Sequence, residues 1–258
     1  MRIEADFMRR IAAAAAAETL PRFRLAGLVS HNKHAAGFDP VTEADREAEQ
    51  AIRALIREAF PDHGIVGEEF GAENADSRHV WVIDPIDGTR AFISGLPLWG
   101  TLVGLTEGGD AVAGMMSQPF TGELFWADDE GSHYDGPGGA RRLAVRATRA
   151  VADATLCTTT PALFSGAKRA AYDRLEGAVR LARYGTDCYA YAMLAAGNID
   201  LVVETELQPY DIVALVPIIE RAGGVITTWD GGPAEKAGNI VAAATPELHE
   251  AALEILNR

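Results

Sequence analysis

Cysteine is nearly missing from this chain. It has two, Cys157 and Cys188, and they form no CxxC pair. That spacing excludes a zinc ribbon or dithiol redox motif. Two buried free thiols in a reducing compartment are expected, with a single disulfide as the alternative. The six histidines form no HExxH or HxH pattern, so a zinc hydrolase is not expected either. No Ser-His-Asp or Cys-His spacing stands out. Long apolar runs are also absent: nothing approaches the ~20 residues of a membrane span. The opening FMRRIAAAAAAETLPRF has some look of a signal peptide, but its alanines are weakly apolar and Glu18 and Arg22 follow at once. Alanine favours helix, so an ordinary first helix and a cytoplasmic location are expected. Positive charge is short as well. Lys and Arg total 23 against 37 Asp and Glu, a net charge of −14. Such a balance repels nucleic acid and anionic membranes, and it leaves carboxylates to spare for metal ions.

What is present is a globular composition, 48% hydrophobic over 258 residues, enough for one large domain or two compact ones. Apolar periodicity predicts a helix over about Ile3 to Arg22. It predicts a second after DPVTEADREAEQAIRALIREAF, with Ala48, Ile52, Leu55, Ile56 and Phe60 on one face and Pro61 at its end. Short strands follow at GIVGEE, HVWVID, TLVGLTE, AVAGMMSQ and ELFWADD, with a hairpin turn at Gly108-Gly109-Asp110. YDGPGGARR reads as a boundary, dividing an N-terminal α+β half (1–143) from a C-terminal half (144–258). The second half alternates strand and helix, as an α/β layered domain does. Its helix PYDIVALVPIIERAGG should kink at Pro217.

The stretch WVIDPIDGTRAF carries Asp84 and Asp87 at the mouth of an apolar strand. Pro85 should stop the strand, Gly88 lets the chain turn, and a helix can begin at Thr89 with its free amides facing the loop. Two carboxylates, a hydroxyl and several N–H donors suit a phosphate bridged to Mg²⁺. Asp84 as a turn residue and Asp87 as an N-cap are the plain alternatives. Glu68 and Glu69 in GIVGEEF, Asp45 near the start of the second helix and Asp211 in PYDI add carboxylates. A set of this size suits paired metals in phosphoester hydrolysis.

GEE at 67–69, DPIDGT at 84–89 and YDI at 210–212, followed by AGG, resemble the inositol monophosphatase family over essentially the whole chain. These are Mg²⁺-dependent, lithium-sensitive phosphatases. The resemblance implies a layered αβαβα sandwich of the inositol monophosphatase and fructose-1,6-bisphosphatase type, α/β in class, and a homodimer. DGTRAFISGLPLWGT, RYGTDCYAYAMLAAG and LVVETELQPYDIVALVPIIERAGG look more like the histidinol-phosphate phosphatase branch. Arg90-Ala91-Phe92 stands where inositol monophosphatases tend to have Thr-Asn-Phe, and Asp187 where they often have Ala.

The roles that follow are implied by resemblance. Glu68, Asp84 and the Ile86 carbonyl hold one Mg²⁺; Asp84, Asp87 and Asp211 hold a second; Glu68 supports a third through waters, and Mn²⁺ is an alternative ion. Thr89 and Asp45 form a hydroxyl–carboxylate pair that takes the proton of the attacking water. The amides of Gly88 and Thr89 bind phosphate oxygens. Gly185, Thr186, Asp187 and Glu204, with Asp211, face the substrate alcohol, and Arg90 meets either the phosphate or neighbouring acids. Asp187 as an N-cap and Glu204 as a surface charge are the simpler readings. Glu69 supports the site or is merely solvated. SHNKHAAGFDP, with His31 and His34, is a surface loop or a cover for the site. Trp81 and Trp126 are expected in the core, Trp99 in the core, in a dimer contact or near the site. Tyr189 and Tyr191 pack a helix or meet an imidazole. The expected substrate is a small phosphomonoester, L-histidinol phosphate first and inositol phosphate or another sugar phosphate second. A regulatory binding protein with this fold is the rival from another class; neither nucleic acid nor a membrane is an expected partner.

Overall fold

The computed structural model describes residues 3–26, 30–32 and 40–258. His34 and the side chain of His31 lie outside the described residues, so the loop reading of SHNKHAAGFDP does too. The N-terminal part holds helix α1 (Ala5–Thr19), strands β1 (Ser30–Asn32) and β2 (Pro40–Thr42), helix α2 (Glu43–Ala59), β3 (Gly64–Gly67), β4 (Gly71–Glu73), β5 (His79–Asp87), the short helix α3 (Thr89–Ile93), β6 (Gly100–Glu107), β7 (Asp110–Gln118), β8 (Glu123–Asp128), β9 (Gly131–Asp135) and β10 (Arg141–Arg142). The remainder holds β11 (Thr155–Thr158), α4 (Gly166–Glu176), β12 (Leu181–Tyr184), α5 (Asp187–Ala195), β13 (Leu201–Leu207), α6 (Pro209–Ile212), α7 (Leu215–Arg221), β14 (Val225–Thr228), β15 (Gly238–Ala243) and α8 (Pro246–Leu256).

Strands β3 to β10 make one sheet in the order β10-β9-β8-β7-β6-β5-β3-β4, and β11 to β15 make another in the order β12-β11-β13-β15-β14. Side-chain alternation sorts each sheet into two faces. Trp81, Ile83, Val103, Leu105, Met115 and Trp126 pack under α1 and α2 against Phe7, Ile11, Ile52 and Ile56. The opposite residues, Leu102, Met116 and Phe125, meet α5 and α7 in a shared core that reaches Cys157, Val202, Ile240 and Ala242 of the second sheet. Leu156, Leu201, Val203, Val241 and Ala243 point away from that core and pack on α4 and α8 through Tyr172, Leu175, Leu248 and Ala252. The layers therefore run α, β, α, β, α, the expected sandwich. Trp81, Trp99 and Trp126 are core residues, and both cysteines are buried and unpaired.

A paired glycine determines how closely the layers meet. Gly104 and Gly114 face each other across β6 and β7. A Cβ on Gly114 would stand 2.0 Å from the Ala214 carbonyl oxygen, and one on Gly104 would stand 2.8 Å from the Ala214 nitrogen. The chain between α6 and α7 thus lies directly on the first sheet, bringing Asp211 towards the end of β5.

Three local expectations need correction. Pro85 does not stop its strand: β5 runs to Asp87, with pairing to β6 interrupted between Asp84 and Asp87. Proline has no N–H to give the ladder, so the strand bulges there instead of ending. Pro217 does not kink one long helix. The helix divides at Val213–Ala214 into α6 and α7, because the proline ring cannot sit against the carbonyl one turn earlier, that of Val213. The first helix is also shorter than expected, Ala5–Thr19, since residues 20–24 form turns before Leu25.

Candidate active site

The site lies at the carboxyl-terminal ends of β3, β5, β11 and β13, with the amino ends of α2, α3, α5 and α6 around it. At the bulge of β5, the Ile86 amide donates to Asp84 Oδ1 at 3.0 Å and Thr101 Oγ1 donates to the Pro85 carbonyl at 2.8 Å. The turn at Gly88 has φ of 82° and carries the chain into α3. Glycine adopts this backbone at little steric cost, and its bare Cα also admits Asp187, since a Cβ would stand 3.0 Å from Asp187 Oδ2.

Asp84, Asp87 and Asp211 bring carboxylate oxygens within 4.8 Å of one another. Asp87 Oδ2 accepts the Cys188 amide at 2.7 Å, and Asp211 Oδ2 accepts the Gln208 amide at 2.7 Å. Burial pushes the Asp84 carboxyl well above its ordinary range, and the nearby charges of Glu68, Asp87 and Asp211 push it further. Asp87 is raised by burial and by Asp187 and Asp211, with Cys188 opposing. Acids crowded together gain from a counter-charge, and hard divalent cations take oxygen donors of this kind. The donor set fits a divalent metal ion, with Glu68 beside Asp84 and the Ile86 carbonyl next along the chain.

Asp45 is fully buried. Its Oδ2 accepts the Thr42 amide at 2.8 Å and the Thr42 hydroxyl at 2.6 Å, while Oδ1 is buried without a hydrogen-bond partner. Burial raises its pKa to about 7 against the opposing Thr42 bonds, and Glu69 and Glu68 add to the rise. The expected pairing of Asp45 with Thr89 is not formed here. Thr89 Oγ1 donates instead to the Ile86 carbonyl at 3.1 Å, because a hydroxyl at a helix start finds a nearby carbonyl first. The Glu69 side chain is nearly buried (3% exposed), with Arg46 at 3.9 Å, so it is not a solvated surface charge.

Beside this cluster stand Asp187, next to Asp87, and Glu204. Glu204 is buried (2% exposed), accepting the Thr159 amide at 2.5 Å and the Thr158 hydroxyl at 3.2 Å. Burial raises its pKa to about 8 in spite of those donors. It is no surface charge. Asp187 opens α5 from within the first turn, with Thr186 as the N-cap, and it holds a left-handed φ of 42°. Such a conformation strains a residue with a side chain and marks a position held by its surroundings. Burial raises the Asp187 pKa, opposed by Thr159 and then by the charge of Arg90. Gly185, at φ 75°, turns the chain and donates its amide to the Thr159 carbonyl at 2.8 Å. Thr186 Oγ1 is buried without a hydrogen-bond partner. The Tyr189 hydroxyl bonds Glu123 at 2.7 Å, tying α5 to β8. Tyr191 is buried beneath the site, and burial followed by Glu204, Asp87 and Asp211 raises its pKa.

Two groups escaped the sequence reading. Thr159, which serves both Glu204 and Asp187, has no motif around it. Glu49 and Arg53 form a buried ion pair at 2.7 Å under the Glu68 turn. Their signal was present: an acid and a base four residues apart, on the buried side of a helix.

The family model described as the inositol monophosphatase family matches residues 4–258. The bifunctional phosphatase IMPL2 of Arabidopsis thaliana is 43% identical over 85% of this chain and 66% of its own length. A histidinol-phosphatase of Streptomyces coelicolor is 36% identical over 96% of this chain and 94% of its own. The solved structure of an inositol monophosphatase from Zymomonas mobilis superposes with a TM-score of 0.86 at 39% identity, covering 98% of this chain and 97% of that one. Fold, acidic site and relatives together define a phosphatase of the layered, metal-dependent class. The chain belongs to the inositol monophosphatase family.

Proposed function

We propose that the protein hydrolyses L-histidinol phosphate to L-histidinol and phosphate, in histidine biosynthesis, with Mg²⁺ as its working ion. The carrying observation is a pair of further acids lining the site beside the Asp84 cluster, Glu204 buried and Asp187 half-buried next to Asp87. A histidinol moiety brings an ammonium and an imidazole that can protonate, whereas inositol offers only hydroxyls beyond its phosphate. Buried acids with raised pKa values gain most from a cationic partner, which restores the charge that burial opposes. The histidinol-phosphatase from Streptomyces coelicolor supports the same substrate, and the Zymomonas mobilis structure supports inositol phosphate as the second reading.

Glu68, Asp84, the Ile86 carbonyl, Asp87 and Asp211 would hold the ions, two or three of them. Bound there, they would neutralise phosphate charge and acidify the attacking water. The chain's own residues do the rest. The Thr89 hydroxyl, which here donates to the Ile86 carbonyl, would turn towards Asp45 Oδ1, the buried oxygen that accepts no hydrogen bond. Asp45, poised near neutrality, takes the proton through Thr89. The amides at the start of α3, from Gly88 and Thr89, meet the phosphate oxygens as charge builds. Arg90 balances Asp187 at the rim, and Gly185 and Thr186 shape the wall behind the alcohol. A homodimer is part of this reading. Its face would use exposed Leu25, Leu96 and Phe120, which are brought together by Arg24 bonding the Gly95 carbonyl and stacking on Phe120.

Purified protein with Mg²⁺ provides the test. The expected result is a kcat/KM for L-histidinol phosphate above that for myo-inositol 1-phosphate; the reverse order would refute the substrate.

A further inference from the structure

Glu49 lies one turn beyond Asp45 on the buried face of α2, with no solvent exposure. A carboxylate so far from water must be paired and hydrogen-bonded. Glu49 is both. Oε1 accepts Arg53 Nε at 2.7 Å, Oε2 accepts the Glu69 amide at 2.7 Å, and Oε1 also takes the Phe70 amide at 3.3 Å. Arg53, itself buried, goes on to bond the Gly71 carbonyl and lies 3.4 Å from the Glu73 carboxylate. The pair grips the backbone at residues 69, 70 and 71 from below.

Gly67 shows how tight that grip is. It sits in β3, outside the left-handed region, so no turn demands glycine there. Yet a Cβ would stand 2.0 Å from Glu49 Oε1 and 2.8 Å from Oε2. Glycine is needed because the carboxylate occupies that space. Between Gly67 and Glu69 stands Glu68, whose amide bonds the Ile83 carbonyl at 3.1 Å and whose charge acts on Asp84. The Glu68 turn is thus pinned on one side by β5 and on the other by Glu49.

We propose that Glu49, paired with Arg53, is a positioning residue that holds Glu68 against Asp84 and thereby sets the affinity of the Glu68 side of the site for a divalent cation. Glu49 touches neither substrate nor ion; Arg53 cancels its charge, so the brace adds no net repulsion to the acids above it. A glutamine at 49 keeps the shape but replaces one acceptor oxygen with an NH2 group, which cannot accept from whichever amide, Glu69 or Phe70, faces it. The proposal rests on the metal reading above.

Calorimetric titration of Mg²⁺ into wild type, Glu49→Gln and Gly67→Ala tests it, alongside hydrogen exchange on the metal-free proteins. Both variants should bind Mg²⁺ about 10-fold or more weakly, the usual consequence of losing an outer support of a metal ligand. At least one of the Glu69 and Phe70 amides should exchange about tenfold faster without metal, as expected when its acceptor oxygen is lost or displaced. KM for substrate at saturating Mg²⁺ should stay within about twofold, since substrate contacts are untouched. If Glu49→Gln does not fold, Gly67→Ala carries the test, because it displaces the same carboxylate without removing a charge. Wild-type Mg²⁺ affinity in the folded variants would overturn the proposal, whatever the exchange rates. A wild-type protein that takes up no Mg²⁺ would overturn the metal reading itself, so the first titration separates the two failures.

Discussion

Asp84, Asp87 and Asp211 crowd within 4.8 Å, and burial and the neighbouring charges push the Asp84 and Asp87 carboxyls upward, while Glu204, elsewhere in the site, is held by a backbone amide and a hydroxyl. Both regions are buried and acidic, but they are stabilised differently. In the first, each acid accepts one backbone amide but stands close to other acids. The second is held by protein donors, with Arg90 acting on Asp187. On the proposed function, the contrast would separate binding of phosphate from choice of alcohol, and substitutions can address each region in turn.

The largest effect should come from the crowded side. Asp84→Asn should cost activity on the order of 10³-fold, since it removes an acid that two ion positions would share. The same variant should melt at a higher temperature than wild type when both are metal-free, because a repelling charge is gone. Scanning calorimetry with and without Mg²⁺ checks both halves of this prediction. Of the other acids in the site, Glu204→Gln or Asp187→Asn should raise KM for L-histidinol phosphate about 10- to 100-fold, the worth of one charge-assisted hydrogen bond. Neutral polyol phosphates should change much less, and steady-state kinetics on both substrates would show the split.

Acidity offers a smaller test. The Glu204 carboxyl is near 4.5 when unperturbed and about 8 in the folded chain. The folded state therefore holds this proton more tightly, and its contribution to stability is fully present below about 4.5 and lost as pH rises through about 8. The melting temperature of Mg²⁺-loaded protein should fall across that window, and Glu204→Gln should flatten the fall. Smallest is a change away from both acid groups. Gly114→Ala places a Cβ against the Ala214 carbonyl and should cost about 1–3 kcal/mol, by overpacking. It should also weaken Mg²⁺ binding through Asp211 more than it alters preference between substrates.

The order of layers was readable because alternation and helical periodicity are strong in β5 to β8, α2 and α8. The carboxylates of the metal motif were readable because DPIDGT combines a strand, a proline and a glycine turn in one short stretch. Less was visible where tertiary contact decides. The end of β9 and all of β10 lay hidden in YDGPGGARR, whose glycines read as a break, although the strands there simply form a short edge hairpin. Pro217 was visible, but which residues would yield depended on Ala214 being clamped onto Gly104 and Gly114. Glu49 looked like one more acid on a charged helix. Only the nearness of Gly67 shows that its carboxylate faces inward and supports the Glu68 turn.

The most direct test is anomalous diffraction from crystals soaked in Mn²⁺ and phosphate. The account predicts strong peaks bounded by Glu68, Asp84, Asp87 and Asp211, with a phosphate oxygen beside them and the amides of Gly88 and Thr89. Well-ordered carboxylates with no peak among them, or manganese bound only elsewhere on this acidic surface, would contradict it.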